Sequence, residues 1–274
     1  MTPAVEAARR AGVPYEILEY RHDPDAEHGT HVAGIIGAER GNGIGVDGIA
    51  PAVKLMTIRT VPNGDERDKD VANAIRYAVD NGAQVINMSF GKAYSPRKAV
   101  VDEAVRYAES RNVLLVHAAG NDAADIGETP SFPIRNFAGG GMASNWIEVG
   151  ASGWRAPDGL AATFSNYSAN EVDVFAPGVD IYSTVPGDEY SRNSGTSMAA
   201  PVVTGLAALL MAYYPGLDAR EVRQIILDSA TRLPDTSVIR PGTEDERVLF
   251  GTLSATGGIV NAYEALRLAE QRAR

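Results

Sequence analysis

The chain has no cysteine in its 274 residues. Disulfide frameworks, thiolate-bound zinc and thiol nucleophiles are therefore excluded, while either redox compartment stays open. Positive charge is also scarce: 25 Lys and Arg stand against 35 Asp and Glu, a formal net charge of −10. Such a balance repels nucleic-acid phosphates and anionic lipid, so no nucleic-acid partner is expected. Long apolar runs are missing as well. The best candidate, Met198 to Tyr214, is interrupted by Pro201, Thr204 and Gly205. It falls short of the roughly 20 apolar residues a bilayer requires, so no membrane span is expected. The opening "MTPAVEAARRAGVPYEILEY" lacks the apolar core of a signal peptide.

What is present suits an enzyme-sized globular domain. Hydrophobic residues make up 45% and charged residues 22%, close to the globular average. No fixed-period repeat interrupts the chain, and "FAGGGMAS" and "RPGTEDE" read as surface loops. Apolar, β-rich runs alternate with helical periodicity. "KLMTIRTV" is followed by Val71, Ala74, Ile75, Ala78 and Val79 at helical spacing, closed by Gly82, and then by "QVINMSF". Ser95 and Pro96 read as the cap and first turn of a helix over "RKAVVDEAVRYAES", after which "NVLLVHAAG", "WIEVGAS" and "VDVFAPG" read as strands. Strands apolar on both faces belong to a buried parallel sheet. The expected fold class is α/β: a three-layer sandwich with a mostly parallel central sheet and helices on both faces. Asp218 and Glu221 are spaced as a capping box, and "IVNAYEALRLAEQRAR" reads as an amphipathic closing helix.

In "NSGTSMAAPVVTG", Ser197 stands between small residues at the mouth of an apolar helix, where it is either a nucleophile or a cap. A serine hydroxyl is a weak nucleophile and needs a base together with donors for the oxyanion. The four histidines, His22, His28, His31 and His117, all precede Ser197. That order excludes the α/β-hydrolase arrangement, in which the base follows the serine. A chymotrypsin-like order would demand an all-β fold, against the alternating pattern. His28 sits at a helix start in "EHGTHVAG", where small neighbours leave the imidazole approachable; a capping or core role is its alternative. His28 and His31 also have metal-ligand spacing, but no acid completes a local set. Asn121 ends the strand of "LLVHAAGND" with a side-chain amide to donate, or acts as a turn former.

"HGTHVAG", "AAGN" and "GTSMAAP", in that order, resemble the subtilisin-like serine peptidases over about Asp25 to Ala230. The resemblance implies hydrolysis of a polypeptide substrate through an acyl-enzyme. It makes His28 the general base, Ser197 the nucleophile, and Asn121 the side-chain donor of the oxyanion hole, with the Ser197 N–H as its companion. Ser89, Phe90 and Gly91 of "NMSFG" would pair with substrate main chain. Ala118, Ala119 and Gly120 would form the opposite wall of a pocket able to admit a large side chain. "RGNGIGVDGIAP" resembles the family's calcium loop, with ligands from Arg40, Asn42, Ile44 and Val46; no cofactor is implied for the chemistry itself. Pro201 is expected in the helix's first turn, where its missing N–H goes unnoticed.

One part of the family pattern is missing. The family carries its orienting carboxylate on a strand ahead of the histidine, and only "YEILEY" stands there, with no Asp-Thr-Gly after it. Asp23 and Asp25 are the nearest acids. The resulting expectation is a single peptidase domain over 1–274, truncated at its N-terminus. A secreted or periplasmic setting and a missing N-terminal segment or propeptide go with it. A noncatalytic peptide-binding or complementation module is the rival.

Overall fold

The computed structural model describes residues 26–61 and 66–273. Its centre is set by two strands with no polar face, β2 (Leu114–Ala118) and β3 (Trp146–Ser152), buried along their whole length. Flanking them are β1 (Val85–Met88) and β4 (Val174–Pro177), joined in parallel register: Met88 opposite His117, His117 opposite Glu148, Val149 opposite Val174. Two short strands, Thr231–Arg232 and Gly258–Ile259, extend the sheet beyond β4, the outermost running antiparallel.

Side chains alternate across the sheet, so each face needs its own helices. On one face Leu114, Val116, Ile147 and Val149 pack against Val203, Leu206, Leu210 and Ile225. On the other, Leu115 and Trp146 pack against Val71, Ile75, Val101 and Val105. The first group of partners comes from the long helix Thr196–Tyr213 and from Ala219–Asp228; the second comes from Asp68–Asp80 and Lys98–Ser110. The expected three-layer α/β sandwich is therefore what forms. Helix Thr196–Tyr213 is long and apolar enough to cross a bilayer, yet 67% of it is buried inside the fold. Ala199, Ala200, Val203 and Ala207 have no solvent exposure, so it is the central core helix.

Helix α1 (Glu27–Gly37) lies outside these layers, held by an antiparallel hairpin, Ile181–Val185 with Glu189–Asn193. Its Val32, Ile35 and Ile36 pack on Met198. Close approach is possible because Gly34 faces the hairpin: a Cβ there would stand 2.3 Å from Thr184 Oγ1. The Ser183 and Thr184 hydroxyls donate to the His31 and Thr30 carbonyls at 2.8 and 2.9 Å.

Three local expectations change. "KLMTIRTV" forms no strand, and Leu55 and Met56 stand 47% and 43% exposed. Among the described residues no strand pairs with the free edge of β1, so this run has no ladder to join. Ser95 does not cap Lys98–Ser110; its hydroxyl donates to Asp68 at 2.8 Å, and Asp68 also accepts the Arg97 N–H at 2.7 Å. A carboxylate from another helix thus holds both the serine and the residue that precedes the helix. Pro201 is the sixth residue of its helix, past the first turn. Its missing N–H would have bonded the Ser197 carbonyl.

Candidate active site

Ser197 is the second residue of the long core helix, which begins after an extended Gly195 with no side-chain cap. Its N–H belongs to the first turn, where backbone donors have no intrahelical partner and the helix dipole favours negative charge. The carbonyl that Pro201 leaves unpaired is taken by Ser89, whose hydroxyl donates to Ser197 O at 3.0 Å. In return Ser197 Oγ donates to the Ser89 carbonyl at 3.3 Å. This reciprocal pair fixes Ser197 against the Ser89–Gly91 segment.

Asn121 follows the carboxyl end of β2, and its side chain is exposed. Its Oδ1 accepts from the Thr196 N–H at 2.8 Å and from Thr196 Oγ1 at 3.0 Å. With the oxygen so engaged, the amide Nδ2 is the group left to donate outward. A probe atom placed as a Cβ on Gly195 lies 3.6 Å from both Asn121 Nδ2 and Ser197 N. The Asn121 amide and the Ser197 N–H are thus neighbours at the start of the helix, the kinds of group that charge stabilisation at a tetrahedral oxygen requires.

His28 is in the first turn of α1, on the face that one turn later carries Val32 against Met198. That packing places the start of α1 beside the start of the Ser197 helix. The imidazole is exposed, but desolvation and then the nearby His31 hold its pKa below the ordinary 6.5. Both effects disfavour the cation, whereas an orienting carboxylate would act in the opposite sense. Asp23, Asp25 and "YEILEY" lie outside the described residues. His31 is fully buried, with Nε2 donating to the Ile181 and Ser191 carbonyls at 3.0 and 3.3 Å. Among the described residues no cluster of three His, Asp or Glu could hold a metal.

Ala118 and Ala119 are buried and Gly120 is half-buried. Ser131, not singled out from sequence, lies close to both Gly91 and Gly120: a Cβ on Gly91 would lie 2.6 Å from its Oγ, and one on Gly120 3.4 Å away. The only sequence signal for it is its place before Phe132-Pro133. In the Arg40–Val46 loop, Gly41, Gly43 and Gly45 all have positive φ. Asn42 Oδ1 accepts the Ile44 N–H at 2.9 Å, and the Arg40 guanidinium donates to Gly48 O at 2.8 Å.

A parallel α/β sheet, a serine at a helix mouth with an asparagine amide close by, and a histidine on the adjoining helix are the parts from which a serine acyl-transfer site is built. The Peptidase S8 model, described as the subtilase family, matches residues 5–248, and the chain belongs to that family. It is 41% identical over 225 residues to the "Thermophilic serine proteinase" of Bacillus sp. (strain AK1), covering 81% of this chain and 52% of that protein. With "Subtilisin Savinase" of Lederbergia lenta it shares 38% over 241 residues, 88% of this chain and 77% of the other. A protease of Pseudoalteromonas arctica PAMC 21717 has a solved structure that superposes with a TM-score of 0.70 at 30% identity, covering 88% of this chain and 70% of that one. The self-cleaved protease domain of PatA gives 0.66 at 29%, covering 89% and 83%. The chain spans about half the length of some relatives, 52% of the AK1 proteinase and 55% of "M-protease" of Shouchella clausii (strain KSM-K16).

Proposed function

We propose that the chain is a subtilisin-like serine endopeptidase domain that hydrolyses peptide bonds through an acyl-enzyme on Ser197. The observation that carries this reading is the pair of hydrogen bonds from Thr196 to Asn121 Oδ1, which holds the Asn121 side chain beside the Ser197 N–H. His28 takes the Ser197 proton as the hydroxyl attacks the scissile carbonyl, and returns it to the leaving amine. The oxyanion is received by Asn121 Nδ2 and the Ser197 N–H. Substrate main chain adds as a strand along Ser89, Phe90 and Gly91, opposite Ala118, Ala119 and Gly120. A secreted or periplasmic setting is part of this proposal and rests on family resemblance.

The described residues place no carboxylate on His28, and loss of that group costs serine peptidases about 10⁴ in kcat. A second reading is a peptide-binding or complementation module, supported by the outer edge of β1, with which no strand pairs among the described residues. A fluorophosphonate probe decides between them. Stoichiometric labelling that disappears in Ser197→Ala is expected; a folded chain that takes no label is the module instead.

Calcium at the Arg40–Val46 loop is proposed on resemblance. Asn42 Oδ1 has a second lone pair beyond its bond to Ile44, and the carbonyls of Arg40, Ile44 and Val46 would supply hard oxygen donors. Calcium at about 100 times its Kd should stabilise the fold by about 2.7 kcal/mol, read as a rise in Tm reversed by chelator. An unchanged Tm removes the site.

A further inference from the structure

His117 is buried mid-sheet, outside the acyl-transfer centre, and has no place in the chemistry above. Its Nε2 lies 2.8 Å from the Phe90 carbonyl and its Nδ1 2.7 Å from Glu148 Oε1. The other Glu148 oxygen accepts from Trp146 Nε1 at 2.8 Å. Phe90 stands past the end of β1, where the ladder with β2 has stopped, so the imidazole supplies a donor that the strand no longer provides. Neighbouring carbonyls take opposite partners: Ser89 O receives the Ser197 hydroxyl and Phe90 O receives His117. Beyond them, Lys92 and Phe132 exchange backbone bonds at 2.9 and 2.7 Å. The substrate-pairing segment thus has three anchors, and the middle one depends on where a proton lies.

A carbonyl only accepts, so Nε2 must carry a proton. A second proton must lie between Nδ1 and Glu148, either on the ring of an imidazolium facing a carboxylate or on a neutral carboxyl facing a neutral ring. Removing it sets a lone pair against oxygen on one side of the ring or the other. Burial raises the Glu148 pKa above the ordinary 4.5, which favours keeping that proton. The surrounding charges are committed elsewhere. Asp173 accepts the Glu148 N–H and pairs with Arg135 and Arg223, while Glu171 pairs with Arg135. On the helical side, Asp68 pairs with Lys92 and Asp102 with Lys98. A cavity of about 80 Å³ lined by Ile126, Ile134, Arg135, Asn136 and Glu171 reaches Glu148 and is large enough for water to exchange the proton.

We propose that His117 is a positioning residue that grips the Phe90 carbonyl, and so sets the substrate-pairing segment, only while the His117–Glu148 pair keeps its shared proton. The proposal rests on the peptide-groove reading above. It is tested by the anisotropy of a fluorescent peptide bound to the full chain carrying Ser197→Ala, from about pH 6 to about pH 10. Affinity should fall about tenfold toward alkaline pH, the scale of one hydrogen bond to a charged group. Adding His117→Ala should impose that loss at neutral pH and flatten the curve. Adding Glu148→Gln, whose amide can donate permanently to Nδ1, should hold the neutral-pH affinity throughout. The clasp is overturned if Glu148→Gln follows the parent's pH curve, a comparison that stands even if His117→Ala fails to fold. Ser197 labelling by fluorophosphonate, which needs no peptide pairing, separates the two readings. Label with no peptide binding at any pH overturns the clasp, and absence of both overturns the groove reading beneath it.

Discussion

His28 illustrates how a few ångströms of protein set a residue's chemistry. With burial and His31 both lowering its pKa, the imidazole is neutral, and so able to accept a proton, at pH values where an ordinary histidine is half charged. The acid limb of kcat/KM should therefore have its midpoint below 6.5, and a midpoint above that value would mean that a carboxylate reaches the ring. The same depressed pKa makes the His28 contribution to stability present above the ordinary histidine value and lost as pH falls through the folded one. Ser197, Asn121 and His28, the residues proposed as nucleophile, donor and base, stand out in sequence because their three short motifs are made of small residues that leave them clearance. Ser131 was not legible, since nothing local to it signals that it will lie close to two distant glycines.

At the scale of elements, the long helix and the end of β1 are joined by the bonds between Ser89 and Ser197. Pro201 is the cause, because it frees the carbonyl that Ser89 then satisfies. Ser89→Ala should destabilise the fold by about 1 kcal/mol by stranding that carbonyl. Pro201→Ala, which restores an intrahelical N–H, should cost less beside Ser89→Ala than alone, and urea unfolding of the four-protein cycle measures the coupling. Additive effects would show that the two residues do not share the carbonyl. Sequence reading placed the proline one turn too early because helix starts are blurred without cap geometry. It found the strands of the sheet interior well, since β2 and β3 are apolar on both faces. It failed at "KLMTIRTV", whose residue types suit a strand but which has no neighbour to pair with among the described residues.

Across the whole molecule, a polar network around Asp173 ties a loop, the helix Ala219–Asp228 and the central sheet together. Asp173, 2% exposed, accepts from Arg135 at 2.9 Å, Arg223 at 2.7 Å and the Glu148 N–H at 2.8 Å. Asp173→Ala leaves two guanidiniums without their shared anion. It should cost about 3–5 kcal/mol in chemical unfolding, far more than removal of an exposed pair such as Arg192 with Asp180. Equal losses from the two would mean that water reaches the interior network freely. None of these partnerships could be read from sequence, because they join residues 25, 38 and 50 positions apart. The hydroxyl of Ser197 rests meanwhile on the Ser89 carbonyl, an acceptor that an incoming backbone would claim for itself. On the proposed reading, a substrate that pairs with that carbonyl also releases the hydroxyl that attacks it.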